Sequence, residues 1–457
     1  MKVVIAGAGV AGLATAFELV RRGGPGLEVV VLEAADRAGG NLRTEHLEGF
    51  LCEWGPNGFL DSAPDTPALV EALGLGPRVV VSADAARRRF LYRAGRLHAL
   101  PESPFAFLAS PLLSPAGRLR VLGEPFAKQR PPGDETIHAF ASRRIGREAA
   151  DILIDAMVSG VFGGNARELS LRACFAKMWE METEHGGLVR AMIAKRRAGR
   201  RSSGGVGAPA GRLTSFAGGV QDLVDALVRA LHGRVRMGAA VTAVARDRGH
   251  RWEVTLASGE TIAADAVVIA SGAASTAPLV EPLAPAVAAT LREIPSAPMV
   301  VVALGYNRAR LGHSLDGFGF LVPRGEGLRM LGALWDSSVY PGRAPEGQAL
   351  VRVMLGGAHD PGAIALDDDA VLSMTREELR TAMGIRADPT FIRIFRHPVG
   401  IPQYTVGHLG RLERIEAGLS SLPGLFVAGN SYRGVAINAC VAEAGPLADR
   451  VVAAIDA

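Results

Sequence analysis

A glycine-rich turn near the start of the chain is the first segment whose residue types and spacing indicate chemistry. It reads Gly7-Ala8-Gly9-Val10-Ala11-Gly12, and the pair Glu33-Ala34 begins 21 positions after its last glycine. In such a Gly-x-Gly-x-x-Gly turn, the first two glycines let the backbone approach a pyrophosphate, and the third lets a helix pack closely on a strand. The N-terminus of that helix favours bound phosphate. With the Glu33 carboxylate placed to accept from a ribose hydroxyl, the pattern predicts a site for FAD or NAD rather than NADP.

Further glycine-rich turns downstream could place backbone beside a flat ring system and additional phosphate or ribose groups. They read Arg37-Ala38-Gly39-Gly40-Asn41, Gly55-Pro56-Asn57-Gly58, and Gly429-Asn430 running into Val435-Ala436-Ile437. Without other information, the first two of these turns are equally well explained as surface turns.

Short apolar runs predict the strands that must position these turns. Val3–Ala6 and Val29–Leu32 are typical of strands buried on both faces, with a helix over Leu13–Arg22 between them. Leu425–Ala428 predicts a similar strand near the other end, followed by an alanine-rich helix from about Asn438. Because both ends of the chain carry nucleotide-domain elements, we expect that domain to be discontinuous, with other domains inserted into it.

The remaining pattern completes an α/β multidomain prediction. It comprises a discontinuous Rossmann-like FAD-binding domain, an inserted mixed-sheet substrate domain and a helical domain. The predicted limits are 1–86, 212–280 and 410–457 for the first, 87–100 and 281–409 for the second, 101–204 for the third, and a flexible linker at 198–212. The predicted inner elements are helices over Asp134–Arg144, Glu148–Val158 and Val220–Leu231, and strands over Val235–Arg246, Trp252–Leu256, Val267–Ala270, Val300–Leu304, Phe318–Val322 and Val351–Leu355.

Composition excludes several classes of protein. The 457 residues hold only three cysteines, which are widely separated, so neither a disulfide framework nor a Cys-x-x-Cys metal pair is expected. A net charge of +4 is too small to indicate nucleic acid binding. The positive excess lies in residues 101–204, where 16 Lys and Arg stand against 11 Asp and Glu, and it could face an anionic surface.

The glycine turn, Glu33, Arg37 and Gly39-Gly40 together resemble the FAD-binding amine-oxidase and phytoene-desaturase superfamily. The resemblance implies non-covalent FAD and no metal, with the C-terminal turn closing over the flavin and a helix N-terminus there favouring charge on the reduced ring. It also implies that Val241 contributes to the cofactor site. The implied cofactor residues are Gly7, Ala8, Gly9, Val10, Ala11, Gly12, Glu33, Ala34, Arg37, Gly40, Asn41, Gly55, Pro56, Asn57, Gly58, Val241, Gly429, Val435, Ala436 and Ile437.

Other motifs, spread over essentially the whole chain, resemble the oxygen-dependent protoporphyrinogen oxidase family. They include Gly160-Val161-Phe162-Gly163-Gly164-Asn165, Gly317-Phe318-Gly319-Phe320-Leu321-Val322-Pro323 and Ile401-Pro402-Gln403-Tyr404-Thr405-Val406-Gly407-His408. The resemblance implies six-electron oxidation of protoporphyrinogen IX to protoporphyrin IX, with O2 reduced to hydrogen peroxide, in haem and porphyrin biosynthesis. One departure is Ala439, where the family often has an acidic residue.

The same resemblance assigns roles at the substrate. Gly160 would face the reacting carbon or a pyrrole N–H through its carbonyl, and Arg89 would bind a propionate. Phe318, Leu321, Leu334 and Met354 would sandwich the macrocycle. From composition alone, the apolar four would be read as sheet core, and Arg89 as part of a solvated Arg87-Arg88-Arg89 run.

Other functions stay open on the sequence. Coproporphyrinogen III is an alternative substrate, although its four propionates would require more cations. An amine oxidase of the superfamily commonly keeps a lysine near the flavin, whereas this chain has none after Lys195. A phytoene desaturase would need no carboxylate-binding Arg89, and an FAD-stabilised scaffold without activity is the non-enzymatic alternative.

The expected location is the cytoplasm, peripheral on the cytoplasmic membrane. Pro104-Phe105-Ala106-Phe107-Leu108 and Leu112-Leu113 form an apolar patch too short to span a bilayer, with Arg118, Arg120, Lys128 and Arg130 placed to meet an anionic membrane surface. The alternative is that this patch packs within the helical domain. Ferrochelatase is a candidate partner, no nucleic acid partner is expected, and a homodimer is left open.

Overall fold

A computed structural model of the chain describes residues 1–128, 133–197, 211–247, 249 and 251–456. Most of the predicted linker 198–212, and Arg130 of the predicted basic group, lie outside the described residues.

A parallel sheet is assembled from the beginning, the middle and the end of the chain. Its neighbouring strands, in order, are Val235–Arg236, Glu28–Leu32, Lys2–Ala6, Ala266–Ile269 and Leu425–Val427. Val3, Val4 and Ile5 are completely buried, as a strand covered on both faces requires. The carboxyl ends of these parallel strands meet at one edge, which brings the Gly7–Gly12 turn close to the C-terminal strand.

A large mixed sheet carries the second group of predicted site residues. Its strands, in order, are Phe391–Pro402, Ser296–Asn307, Gln348–Gly356, Gly332–Leu334, Gly319–Leu321, Arg89–Arg93 and Arg96–Ala99. The pair of strands from Arg89 to Ala99 therefore joins a sheet otherwise built from residues 296–402.

The register of the large sheet separates its two faces, because residues paired across neighbouring strands point to the same side. One face holds a core of residues such as Phe320, Ala333 and Val353, packed against helix Asp368–Met383. The opposite face, called the slot face below, contains two rows of paired residues. These rows are Arg89, Gly319, Leu334 and Arg352, and Leu91, Leu321, Gly332 and Met354.

The smaller strands and the helices complete the described architecture. The smaller strands are Thr44–Leu47, Phe50–Glu53, Phe59–Leu60, Val79–Val81, Leu213–Phe216, Val241–Arg246, Trp252–Leu256 and Thr261–Ala264. The longer helices are Val10–Arg22, Asp65–Ala72, Pro115–Leu122, Ile137–Ile145, Asp155–Phe162, Ala176–His185, Leu188–Arg197, Gln221–Ala230, Ala273–Val280, Pro285–Arg292, Asp368–Met383, His408–Leu419 and Ala444–Asp456. The shorter helices are Pro104–Ala109, Arg147–Ala149, Leu171–Cys174, Asp336–Val339 and Ile437–Ala442.

Two predicted elements differ from the structure in an informative way. The strand predicted over Val235–Arg246 is two strands that belong to different sheets and are separated by a turn at Gly238, whose φ is +64°. The helix predicted over Glu148–Val158 continues to Phe162 through one π-helical stretch at Ala150–Ile154. It ends at Gly163, whose left-handed backbone is favourable for glycine.

Part of the predicted membrane patch is buried. Leu112 and Leu113 are 2% and 3% exposed, and Phe107 packs against the cluster that contains Leu113. The prediction that Leu112 and Leu113 belong to an exposed patch is wrong, because Leu112 packs with Leu91 and Ala156, and Leu113 packs with Ala149 and Ile152. Within the described parts of the chain, every helix is too short or too polar to cross a membrane.

Candidate functional site

In the Gly7–Gly12 turn, Gly7 and Gly12 are required by close backbone contacts, whereas Gly9 leaves room for a ligand. A Cβ added at Gly12 would lie 2.0 Å from the Gly7 carbonyl oxygen, so any side chain there would collide with backbone. A Cβ at Gly9 would have no atom within 4 Å, and Gly9 has an ordinary extended backbone conformation. The space over Gly9, at the start of helix Val10–Arg22, is therefore open to a ligand.

Glu33 is fixed beside this turn at the end of the second parallel strand. Its carboxylate accepts from the Ala8 N–H at 2.7 Å and from the Ala35 N–H at 3.0 Å, so that Ala34 lies in a tight turn. The Ala239 N–H donates to the Glu33 carbonyl at 2.7 Å, which brings the segment leading into Val241 alongside. The structure thus brings together Ala8, Glu33 and the approach to Val241.

The segment from Arg37 to Asn41 closes the other side of the turn. The Arg37 guanidinium donates to the carbonyl groups of Ala38 and Gly40, and burial lowers the pKa of this guanidinium. Gly40 has a φ of +58°, and its own Cβ position would lie 3.4 Å from the Cα of Gly9. A positive charge is therefore held next to the open space above Gly9, where it suits a phosphate.

The Gly55–Gly58 segment is attached to the large sheet by Arg352. This side chain, only 2% exposed, donates to the carbonyls of Glu53 at 3.1 Å and Gly55 at 2.7 Å, and its Nε pairs with Asp336 at 2.9 Å. A Cβ at Gly58 would meet the Thr214 carbonyl at 2.3 Å, so packing alone requires that glycine. Contact between Gly58 and a cofactor stays a prediction.

Arg89 lies on the slot face without a carboxylate partner. Its guanidinium is 5.2 Å from the Phe318 ring centroid, and no ion pair joins it to any acidic group of the described residues. By contrast, Arg87 pairs with Asp84 at 3.4 Å, and Arg88 pairs with Asp316. Burial lowers the pKa of Arg89. The Arg87–Arg89 run is thus two exposed, paired cations followed by a partly buried, unpaired one.

Leu321, Leu334 and Met354 share the slot face with Arg89, and each remains partly exposed. Gly332, with a φ of +157°, lies between them, where a Cβ would be 2.2 Å from the Phe320 carbonyl. Phe318 precedes its strand and packs near Tyr340. The structure therefore brings Leu321, Leu334, Met354 and Arg89 to one face, and Phe318 lies beside Arg89 next to a neighbouring cluster.

Gly160 lies over this surface in the last turn of helix Asp155–Phe162. A Cβ on Gly160 would be 2.5 Å from Leu321 Cδ2, so the glycine allows the helix to approach the sheet. Carbonyl groups in a last turn have no donor within their own helix. The Gly160 carbonyl can therefore accept from a group outside its helix, and its role toward a substrate stays a prediction.

The loop Gly429–Ala436, called the closing loop below, joins the last parallel strand to helix Ile437–Ala442. Gly429 has a φ of +119°, and the nearest atoms to a Cβ there would be 3.9 Å away. Val435 packs against the helical cluster that includes Phe162. The loop therefore lies between the parallel sheet and the Gly160 helix.

The role of Arg352 in this arrangement was not predicted from the sequence. Arg352 is the one charged residue within the apolar run Val351–Leu355, and an arginine in such a run was the available signal of a buried, paired charge. Its partner Asp336 lies 16 residues earlier in the chain and forms no sequence motif with it, since only the sheet register brings the two together.

The residues fit a bound flavin nucleotide. The positions above Gly9 and Gly429 are open, and a guanidinium and a fixed carboxylate flank the first of them. Two buried amide atoms near the glycine turns, Asn57 Nδ2 and Asn438 Oδ1, have no hydrogen-bond partner within the described residues. Buried polar atoms normally have partners, so these two are suited to the polar edge of a ligand.

Comparison with known proteins identifies the family. The sequence profile of the flavin-containing amine oxidoreductases matches residues 10–452. The protein belongs to this flavin-containing family. A flavin is therefore its cofactor, and the assignment of the glycine turn, Glu33 and the closing loop to this flavin stays a prediction.

Curated relatives of this flavoprotein match over nearly their full length. Human protoporphyrinogen oxidase is 35% identical over 468 residues, covering 96% of both chains. Bovine protoporphyrinogen oxidase is 34% identical and covers 98% of both. Coproporphyrinogen III oxidase of Bacillus subtilis is 29% identical, covering 96% of this chain and 95% of the relative.

Solved structures agree on the fold of this flavoprotein. A crystal structure from Exiguobacterium sp. 255-15, provisionally named protoporphyrinogen oxidase, has a TM-score of 0.85 at 24% identity, covering 99% of this chain and 98% of that one. A redesigned putrescine oxidase has a TM-score of 0.71 at 15% identity, covering 99% and 98%. The mixed α/β multidomain fold is thus that of the flavin amine oxidases.

Proposed function

We propose that this protein is an FAD-dependent oxidase that removes six electrons from protoporphyrinogen IX in haem biosynthesis. The products are protoporphyrin IX and hydrogen peroxide, with O2 as the electron acceptor and FAD bound without a covalent link. Support comes from the protoporphyrinogen oxidases of human and cattle among its relatives and from the slot face described above.

The cofactor, when bound, supplies the hydride acceptor and passes electrons on to oxygen. The protein has to hold a broad apolar macrocycle in the right orientation. Leu321, Leu334 and Met354 offer an apolar floor, and the Gly160 helix lies above it. Gly160 has no side chain, so the helix backbone lies directly against Leu321 at one side of this floor.

Arg89 is the observation that carries this proposal. A partly buried guanidinium without an acidic partner is costly to the folded protein unless a ligand supplies the missing charge. A propionate supplies that charge at the edge of an apolar surface. Neither an amine nor a hydrocarbon substrate would do so.

The charges of the slot face favour protoporphyrinogen over coproporphyrinogen. The two paired rows of that face hold two cations, Arg89 and Arg352, and the second is already neutralised by Asp336 at 2.9 Å. Arg93 lies on the same face two residues beyond Leu91, in the same strand as Arg89. Cations grouped toward one edge suit a substrate with both carboxylates on one edge, whereas four propionates would place carboxylates around the whole ring. Coproporphyrinogen III remains the second candidate, because relatives from Bacillus subtilis and Propionibacterium freudenreichii are named for it.

Anaerobic mixing of the purified protein with each porphyrinogen tests the proposal. Protoporphyrinogen should bleach the visible absorption of the flavin, and admitted air should restore it with stoichiometric hydrogen peroxide. Faster bleaching by coproporphyrinogen would reverse the order of substrates. A flavin that neither substrate bleaches would refute porphyrinogen oxidation and leave the scaffold alternative, while bleaching by polyamines alone would favour an amine oxidase.

We also propose that the protein attaches peripherally to the cytoplasmic face of a membrane through a revised patch. The most exposed apolar side chains of residues 101–128 are Phe105 and Phe126, at 85% and 89%, and Leu119 at 68%. The Arg118 guanidinium donates to the Leu108 carbonyl and so joins the two short helices that carry Phe105 and Leu119. Exposed aromatic residues of this kind suit insertion into the interfacial region of one leaflet.

The charges around this patch are fewer than the sequence indicates. The two terminal nitrogens of Arg120 donate hydrogen bonds to the carbonyls of Arg143 and Arg144, so this side chain is engaged within the protein. Lys128 is exposed and available for anionic headgroups. Attachment should therefore depend more on the apolar side chains than on charge. A site opening near a bilayer would shorten transfer of a poorly soluble product to a ferrochelatase.

A further inference from the structure

The turn Gln403–His408 lies where three parts of the protein meet. It follows the edge strand Phe391–Pro402 of the large sheet and precedes helix His408–Leu419. On the helical side, the Ser170 N–H donates to the Tyr404 carbonyl at 2.8 Å, and the Val406 N–H donates to the Glu168 carbonyl at 2.9 Å. The large sheet and the helical segment are therefore joined at this turn by backbone hydrogen bonds.

Two side chains of the same turn reach the third part, the closing loop. The Tyr404 hydroxyl donates to the Asn430 carbonyl, and His408 Nε2 is 2.8 Å from the Tyr432 carbonyl. Because a carbonyl can only accept, Nε2 of His408 carries the proton. The two rings stack with centroids 4.0 Å apart, and each side chain is only 1% exposed.

These contacts are buried, and each satisfies a carbonyl of the loop. Burial raises the pKa of the Tyr404 phenol and lowers the pKa of His408, so both remain neutral donors. Gly429 and Gly434, at the two ends of the held stretch, have φ values of +119° and +92°. Glycine adopts positive and negative φ with similar ease, so the conformation of the stretch between them depends on the contacts that hold it.

We propose that Tyr404 and His408 are positioning residues that fix the closing loop against the flavin. They act through the Asn430 and Tyr432 carbonyls, and they link the conformation of that loop to the large sheet and the helical segment. This inference rests on the proposed function in one respect, the placement of FAD beside the closing loop. It adds two residues for which that function supplies no role.

The Tyr404→Phe variant tests this role with little change in packing. The ring and its stack on His408 remain, while the Asn430 carbonyl loses its donor inside the protein. Leaving a buried acceptor without a partner weakens the held conformation, so we expect FAD to dissociate on the order of tenfold more readily. If the loss of affinity is tenfold greater for one redox state of the flavin than for the other, the two-electron potential shifts by ~30 mV.

Tyr306→Phe is the matched control. Tyr306 is also 1% exposed, but it lies in the core on the opposite face of the large sheet. A second pair provides rescue: His408→Gln can keep a donor near the Tyr432 carbonyl, and His408→Leu cannot. FAD release is followed by fluorescence on dilution, and the visible spectrum and potential are measured at saturating FAD.

The proposal holds if Tyr404→Phe and His408→Leu shift the spectrum and the potential, while Tyr306→Phe and His408→Gln resemble the wild type. It is overturned if both loop variants keep the wild-type spectrum and potential, even where their thermal stability falls. If Tyr404→Phe fails to fold, the two His408 variants decide. A wild type that binds no FAD would instead refute the proposed function, before any variant is compared.

Discussion

Replacing Arg89 by alanine should weaken substrate binding while leaving the protein at least as stable as the wild type. The guanidinium lies on the slot face at 5.2 Å from the Phe318 ring, and no acidic side chain of the described residues pairs with it. Its removal therefore deprives no internal carboxylate of a partner. It also removes a partly desolvated charge from the folded state.

The magnitude follows from this partial burial. An exposed ion pair contributes only ~0.2–1 kcal/mol, whereas a hydrogen bond to a charged group away from bulk water contributes ~1.5–3 kcal/mol. Since 1.4 kcal/mol corresponds to a factor of ten, KM for protoporphyrinogen should rise about ten- to a hundredfold. The turnover number should change little, because the propionate that we propose Arg89 binds is far from the reacting carbon.

The assay is steady-state porphyrin fluorescence over a range of substrate concentrations, together with thermal unfolding of the flavin-loaded protein. Arg87→Ala is the control, since Arg87 is exposed and paired with Asp84. The reasoning is refuted if both variants change KM equally and slightly, or if Arg89→Ala lowers the melting temperature without raising KM. In either case Arg89 would be a surface or structural residue.

Three further predictions concern the cofactor turn, a buried acid and the surface patch. Gly9→Val should fold but purify without colour, because a Cβ at position 9 would have no protein atom within 4 Å and the side chain would fill the space predicted for the pyrophosphate. Gly12→Val should not fold, and stoichiometric flavin in Gly9→Val would contradict the assignment. Burial raises the pKa of Glu53 from 4.5 to about 7, so its contribution to stability is fully present below pH 4.5 and is lost as the pH rises through 7. Glu53→Gln should remove that part of the pH dependence of the unfolding free energy. If the unfolding free energies of the wild type and the variant change with pH in parallel, Glu53 does not titrate there. Phe105→Asp combined with Phe126→Asp should abolish flotation with anionic liposomes while flavin content and melting temperature stay unchanged, and a wild type that never floats would contradict membrane attachment.

The sequence alone was sufficient for the local structure of the predicted cofactor turn. The contacts that determine a Gly-x-Gly-x-x-Gly turn are local in sequence, since Gly12 is required by contact with Gly7 five positions earlier. The predicted strands Val3–Ala6 and Val29–Leu32 lie within the observed ones, and Glu33 follows directly. Local spacing of this kind can be read without knowing how distant parts of the chain meet.

The exposed patch was only partly predictable for the opposite reason. Phe105 and Phe107 are equally apolar and two positions apart, yet one is 85% exposed and the other packs against Leu113. A helix of six residues carries apolar side chains on more than one side, and only the neighbouring helices decide which side faces solvent.

The substrate half of the site was decided by tertiary structure. Arg89, Leu321, Leu334 and Met354 come from strands far apart in the chain, and a shift of one residue in any register would turn its side chain to the opposite face. Their roles could be named in advance only through resemblance to a family. The sequence determined which residues could bind a nucleotide because that chemistry depends on neighbours along the chain, whereas the slot and the unpaired charge of Arg89 exist only where the sheet register brings distant strands together.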